Sequence, residues 1–248
     1  VLVTGFDIIF FWVARMIMMG LEFLEDVPFK EVYVHGLVKD AHGNKMSKSK
    51  GNIIDPIDLI DGIDIDSLLI KRSSDLMQPE MAEKIRKNTK KEYPNGIEAY
   101  GTDALRFTFS SLATSNRDIN FDLKKLEGNR NFCNKIWNAA RYIKLLKDEY
   151  KVTSVKNPEY DDTDIWIYKR LNNLITSLRT NYEKYRFDFA SKDLYDFIWN
   201  DFCNWYIELS KIDIKSKDSK KIESKIFHLE ELFKNIILLL HPTMPFIT

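Results

Sequence analysis

The spacing of hydrophobic positions changes once along the chain. Near the start, Val1 to Thr4 is a short β-branched run that Gly5 breaks, and Ile8 to Leu21 (IIFFWVARMIMMGL) follows at helical length. Glu31 to His35 (EVYVH) reads as the next strand, with Pro28 ahead of it and Gly36 closing it. Strand, helix and strand in that order predict a βαβ crossover in a parallel sheet. The 8–21 stretch is too short for a bilayer, contains Arg15 and is flanked by Asp7 and Glu22, so it predicts a buried helix.

Further on, Gly43 precedes a lysine-rich run that ends at Gly51-Asn52. Asp55-Pro56 predicts a helix start, with Asp as the cap and Pro in the first turn. Ser67 to Tyr93 is charged and helical, closed by the turn sequence Tyr93-Pro94-Asn95-Gly96, and Thr102-Asp103 opens another helix through Leu105, Phe109 and Leu112. Beyond Asp122 no strand pattern remains. One apolar stripe joins Phe132, Cys133, Ile136, Trp137, Ala140 and Ile143; a second joins Ile167, Leu171, Leu174, Leu178 and Tyr182. A third runs through Phe189, Leu194, Phe197, Ile198, Phe202 and Trp205, and a fourth through Ile222, Ile226, Leu229, Phe233, Ile236 and Leu240. Three-to-four spacing makes each a core-facing helix, with Lys211 to Lys221 a solvated connector. The expected fold is therefore α/β followed by all-α: residues 1–118 built on a parallel sheet, residues 119–248 an antiparallel bundle of about four helices.

Composition refines this picture only locally. Lys+Arg and Asp+Glu both total 37 in the 248 residues, so net charge favours no class of partner. Between Lys39 and Lys50, however, four lysines meet one aspartate, a patch suited to phosphate. Cys133 and Cys203 lie far apart inside helical patterns, which predicts two free thiols in a reducing compartment. The chain opens on a strand without Met and stops just after a helix, so a fragment of a longer protein is expected.

Candidate chemistry gathers at the strand ends. Lys45-Met46-Ser47-Lys48-Ser49-Lys50 places three ammonium groups and two hydroxyls in one loop. A lysine is a compact charge that can follow a phosphate oxygen as its charge develops; the alternative is a solvated basic loop. Thr4-Gly5-Phe6-Asp7 lies at the carboxyl end of the first strand, where open α/β sheets bind ligands. There Gly5 permits close backbone approach, and Asp7 can either accept from ribose hydroxyls or cap the following helix. His35 beside Gly36 is either a ligand contact or a packing residue, and Trp12 either walls an apolar pocket or packs in the core. On the first bundle helix, Asn129, Arg130, Asn131, Asn134, Lys135, Asn138 and Arg141 form a polar face suited to RNA or to solvent.

Lys45-Met46-Ser47-Lys48-Ser49 resembles the KMSKS loop of class I aminoacyl-tRNA synthetases. Similarity to the valine-specific branch of that class extends over Thr4-Gly5-Phe6-Asp7-Ile8-Ile9, Gly101-Thr102-Asp103-Ala104-Leu105-Arg106, Arg130-Asn131-Phe132-Cys133-Asn134-Lys135-Ile136-Trp137-Asn138 and His241-Pro242-Thr243-Met244-Pro245-Phe246. Mild departures are Lys39, where many relatives have Arg, and Asn204, where Asp is frequent. The resemblance implies the C-terminal half of a Rossmann-type catalytic domain followed by an anticodon-binding bundle. It implies that Gly5 and Asp7 contact ribose, that His35 and Gly36 border adenine, and that Lys45, Met46, Ser47, Lys48 and Ser49 close over ATP. Lys45 and Lys48 would stabilise the triphosphate in the transition state, with Mg²⁺ travelling on the phosphates and no metal held by protein. Trp12 would wall the pocket for L-valine; Arg130, Asn134, Asn138 and Arg141 would meet tRNA(Val). The enzyme is expected to be a cytoplasmic monomer whose HIGH motif and editing domain lie upstream of Val1, so that this chain alone is inactive. The alternative is a non-catalytic tRNA-binding module of the same descent.

Overall fold

Two short parallel strands open the chain, in a computed structural model that describes residues 1–40, 43–47, 51–74, 76, 79–114 and 118–248. The chain divides into two compact units: Val1–Ala99 with Leu112–Leu123, and Tyr100–Ser111 with Lys124–Thr248. In the first unit β1 (Leu2–Gly5) pairs with β2 (Val32–His35), in register from Leu2 opposite Val32 to Gly5 opposite His35. Between them a 3₁₀ turn (Phe6–Ile8) and a π-helical turn (Ile9–Val13) lead into α1 (Ala14–Leu24). The βαβ order is the expected one.

The burial expected of this helix does not hold. Phe10, Phe23 and Leu24 are 76%, 75% and 76% exposed, and between Phe6 and Leu24 only Val13 and Gly20 are buried. A helix that is apolar on every face needs cover on every face. Here one edge is covered, with Gly20 set so closely against Pro28 that a β-carbon would lie 2.8 Å from its ring.

After β2, β3 (Val38–Lys39) pairs in parallel with β4 (Ile119–Asn120), and Lys39 Nζ meets Asp118 at 2.5 Å. Three helices follow β3: α2 (Pro56–Asp61), α3 (Ile65–Ser73) and α4 (Ala82–Glu92). Asp55 caps α2 as its sequence predicts, accepting from the Ile57 amide at 2.9 Å with Pro56 in the first turn. Lys71 bridges Asp55 and Asp58 at 2.7 and 2.8 Å, which holds the start of α2 to α3.

The second unit contains α5 (Thr102–Leu112), α6 (Leu123–Glu149), α7 (Asp162–Glu183), α8 (Phe187–Asp196), a π-helical segment (Phe197–Tyr206), α9 (Ile207–Ile214) and α10 (Ser219–Leu240). α8, the π-helical segment and α9 run on continuously, so α6 to α10 make four rods. The second and fourth predicted stripes are buried throughout, apart from half-buried Tyr182. The other two need correction at Trp137, Phe189 and Trp205, which are exposed. For Trp205 the cause is the π-helical segment: wider turns rotate successive side chains out of the phase that a regular helix would keep. α5 packs with these helices, Phe107 lying 5.1 Å from Phe132 between ring centres. Asp103 on α5 accepts from the amides of Phe246 and Ile247 at 3.0 and 2.6 Å, tying down the end of the chain. Cys133 and Cys203 are free, and burial pushes both thiols up to about 11. Among the described residues no helix is long and apolar enough to cross a membrane.

Candidate active site

The carboxyl ends of β1 and β2 bring Gly5 and His35 side by side in register. Gly5 is buried, and a β-carbon there would stand 2.8 Å from Asp7 Oδ1, 3.3 Å from Leu37 Cδ2 and 3.7 Å from His35 Cε1. Any larger residue would therefore displace the carboxylate or close the space above the strand ends. Asp7 sits exposed in the 3₁₀ turn, and no side chain fills the cap of that turn, of the π-helical turn or of α1. Asp7 lies in the first turn, after the N-cap residue Gly5, and its carboxylate faces the strand ends. His35 Nδ1 lies 2.9 Å from the Gly36 carbonyl, which orients the imidazole at the same edge. Trp12 stands in the π-helical turn at 43% exposure, outside the buried core.

The lysine-rich loop leaves β3 in the same unit. Lys45 is exposed and forms an antiparallel bridge with Lys39, while Met46 and Ser47 are half-buried. Lys48 and Ser49 lie outside the described residues. β4 secures the strand that carries the loop: the Ile119 amide donates to the Leu37 carbonyl at 2.8 Å and the Phe121 amide to that of Lys39 at 3.0 Å. The Lys39 ammonium beside Asp118 holds that carboxyl below the usual range.

Two residues given no role by the sequence shape the loop base. Asp40 Oδ1 accepts from the Asn44 amide at 2.7 Å, and Asn52 accepts from the Ser47 amide at 2.9 Å through Oδ1. Asn52 Nδ2 also donates to Asp40 Oδ2 at 2.8 Å. The only signal for them was the pairing of turn-forming Asp and Asn with Gly43 and Gly51. Gly51 has φ +63°, and a β-carbon there would lie 2.6 to 2.8 Å from three side-chain atoms of buried Ile85 on α4. Gly51→Ala is expected to destabilise the chain by about 1–3 kcal/mol through overpacking and left-handed strain. Urea unfolding measures this, and a loss below about 0.5 kcal/mol would mean that Ile85 yields freely.

On α6 the exposed residues Asn134, Asn138 and Arg141 recur at four and three positions, one polar face. Asn131 is exposed as well, whereas Arg130 and Lys135 are engaged. Arg130 lies half-buried with its guanidinium 5.2 Å from the centre of the Tyr100 ring. Lys135 donates to Asn204 Oδ1 at 3.0 Å. Asn129 is not on the face at all; it is buried and donates to Thr108 Oγ1 at 2.8 Å, because its position turns toward α5.

Comparison with known proteins adds identity to this geometry. Residues 1–122 match the family described as tRNA synthetases class I (I, L, M and V), and residues 164–248 match the anticodon-binding domain of tRNA ligase. The chain is 51% identical to the valine–tRNA ligase of Francisella tularensis subsp. tularensis, over 100% of this chain and 27% of that protein. It is 52% identical to the valine–tRNA ligase of Coxiella burnetii, with the same coverage of each. It therefore spans about a quarter of the length of these relatives. Among solved structures, Mycobacterium tuberculosis methionyl-tRNA synthetase in complex with methionyl-adenylate aligns with a TM-score of 0.67 at 20% identity, covering 98% of this chain and 42% of that one. The Agrobacterium radiobacter K84 agnB2 LeuRS–tRNA–LeuAMS complex aligns with a TM-score of 0.60 at 19% identity, over 99% and 26%. These two likenesses establish the fold.

Proposed function

The chain belongs to the class I aminoacyl-tRNA synthetases, and we propose that it is the ATP-loop half of the catalytic domain, with the anticodon-binding bundle, of a valine–tRNA ligase. The observation that carries the valine assignment is identity of 51% and 52% to valine–tRNA ligases along the whole chain. In this reading residues 1–118 serve catalysis and residues 119–248 bind tRNA. The uncovered apolar face of α1 suits a chain that spans 27% of such a relative, since further catalytic-domain elements would cover it.

The chemistry follows from the strand ends. The valine carboxylate attacks the α-phosphorus of ATP, forming valyl-adenylate and releasing pyrophosphate. A terminal ribose hydroxyl of tRNA(Val) then attacks the acyl carbon and expels AMP. Gly5 gives room for the nucleoside, Asp7 accepts from its ribose hydroxyls, and His35 with Gly36 borders the adenine. Trp12 offers an apolar wall to the valine side chain. Lys45 and Lys48 meet charge that develops on the phosphates, supported by Met46, Ser47 and Ser49, with Mg²⁺ carried on the same phosphates. Catalysis of this kind is positioning plus electrostatics. Asn134, Asn138 and Arg141, with Arg130 beside them, contact the tRNA, and the full-length protein works as a cytoplasmic monomer.

ATP–pyrophosphate exchange by the full-length protein carrying this sequence tests the proposal. Exchange is expected to depend on valine, with isoleucine a poorer substrate by kcat/KM. Preference for isoleucine would overturn the specificity, and tRNA binding without exchange for any amino acid would favour the non-catalytic module.

A further inference from the structure

The loop base contains a closed circuit of hydrogen bonds that neither the fold nor the family assignment explains. Leaving β3, the chain turns back at once: the Asp40 amide donates to the Asn44 carbonyl at 3.0 Å and the Gly43 amide to the Asp40 carbonyl at 2.9 Å. The Asp40 carboxylate then collects the Asn44 amide at 2.7 Å and Asn52 Nδ2 at 2.8 Å. Asn52 faces both ways. Its Oδ1 takes the Ser47 amide at 2.9 Å, while its Nδ2 donates to Asp40 and, at 3.3 Å, to the Lys45 carbonyl. A residue at the entrance of the loop thus grips one at its exit, and Asn52 also grips the backbone of the motif at Lys45 and Ser47.

We propose that Asp40 and Asn52 form a clasp that fixes the loop backbone at Lys45 and Ser47, the frame from which Lys45 reaches the triphosphate, and so are positioning residues for adenylate formation. The inference rests on the activity proposed above. Both side chains are half-buried at the surface, outside the hydrophobic core, so opening the clasp removes little apolar burial. What it frees is the loop. Lysines on an unclasped loop reach the phosphates only in a fraction of its conformations, and the rate falls with that fraction. Because the lysines act as charge develops, the loss falls on kcat more than on ATP binding.

The chemistry of the two side chains supplies a strict test. Asn suits position 52 because one amide both accepts from the Ser47 N–H and donates to the Asp40 carboxylate. Asn52→Ala removes these two bonds and the longer one to the Lys45 carbonyl, and Asn52→Asp sets two carboxylates against each other. The exchanged pair, Asp40→Asn with Asn52→Asp, restores a donor facing an acceptor. The amide at 40 then donates to the carboxylate at 52 and still accepts from Asn44, while the carboxylate's second oxygen still accepts from Ser47; only the 3.3 Å bond to the Lys45 carbonyl is not restored.

Steady-state exchange by the full-length protein at saturating valine, with ATP varied, reads the effect. Asn52→Ala is expected to lower kcat about 10- to 30-fold with the KM for ATP within about threefold, and Asn52→Asp at least as much. The exchanged pair is expected to recover to within about fivefold of the unsubstituted protein. On the same proteins, hydrogen exchange at the Ser47 amide should be faster in both single variants and slow again in the exchanged pair. A kcat within about twofold for Asn52→Ala, or an exchanged pair no better than Asn52→Asp, would overturn the inference. Absence of valine-dependent exchange in the unsubstituted protein would overturn the proposed activity and the clasp's catalytic role together, while Ser47 protection would still decide whether the clasp itself exists.

Discussion

Replacing Lys48 by Ala is expected to lower valine-dependent pyrophosphate exchange by about 10²–10³-fold, equivalent to about 3–4 kcal/mol of transition-state stabilisation. The argument begins with charge. As the carboxylate attacks, negative charge grows on the oxygens of the α-phosphate and the leaving pyrophosphate. In the proposed reading the Lys48 ammonium meets that charge when it is largest, so its removal costs more in the transition state than in bound ATP. The loss should therefore fall on kcat. Asp40, Asn52 and Gly51 anchor the described ends of the loop in which Lys48 lies, and the unfolding midpoint is expected not to move. Lys48→Arg keeps the charge on a larger planar head and should recover only part of the rate. Exchange within about threefold of the unsubstituted protein would remove Lys48 from the chemistry.

How far such a site can be read from residues alone depends on what each residue's role requires. The placement of Gly5 and His35 was legible because the strand–glycine–helix order fixes where strand ends lie, and parallel register then sets one against the other. Asp55-Pro56 was legible because a cap is a local bond, made at 2.9 Å to a residue two positions away. Local bonds leave local signals. The clasp was not legible, since Asp40 and Asn52 are twelve positions apart and polar residues in a lysine-rich loop read as solvated. Nor was the contact of Gly51 with Ile85, which unites a turn with a helix more than thirty residues later. In the bundle, Ile167 to Leu178 kept phase because α7 is regular, whereas Trp205 lost it where turns widen. Asn129 looked like its polar neighbours until α5 covered it, a tertiary fact that its own helix does not encode.

The largest expected effect on stability comes from a residue that sequence alone would place on the surface. Lys225 of α10 is 3% exposed, and its ammonium meets Asp161 and Asp164 at 2.7 Å each and Asp213 at 3.4 Å. Asp161 and Asp164 also form the capping box that starts α7, and Tyr206 donates to Asp164 at 2.5 Å. One cation thus joins the start of α7, the end of the π-helical segment, α9 and α10. Burial alone would pull the Lys225 ammonium down, but the hydrogen bonds it donates to Asp161 and Asp164 outweigh it and hold its pKa above the ordinary 10.5. Burial likewise raises Asp161, and the bond from Lys225, with those from Thr163 and the Asp164 amide, reverses this and holds it below 3.8. Lys225→Met keeps the length of the chain but leaves Asp164, 1% exposed, without its cation. The expected loss is about 3–5 kcal/mol, the cost of an uncompensated buried charge. Urea unfolding followed by helical ellipticity checks it. The raised Lys225 contributes stability below its unfolded value near 10.5 and loses it as pH rises through the native value. The depressed Asp161 contributes above 3.8 and loses it as pH falls through its native value. The deficit of Lys225→Met should therefore be level between these limits and shrink below about pH 4, where Asp161 loses the contribution of its bond with Lys225. A loss under about 1 kcal/mol at neutral pH would show that water enters and solvates Asp164 once the lysine is gone.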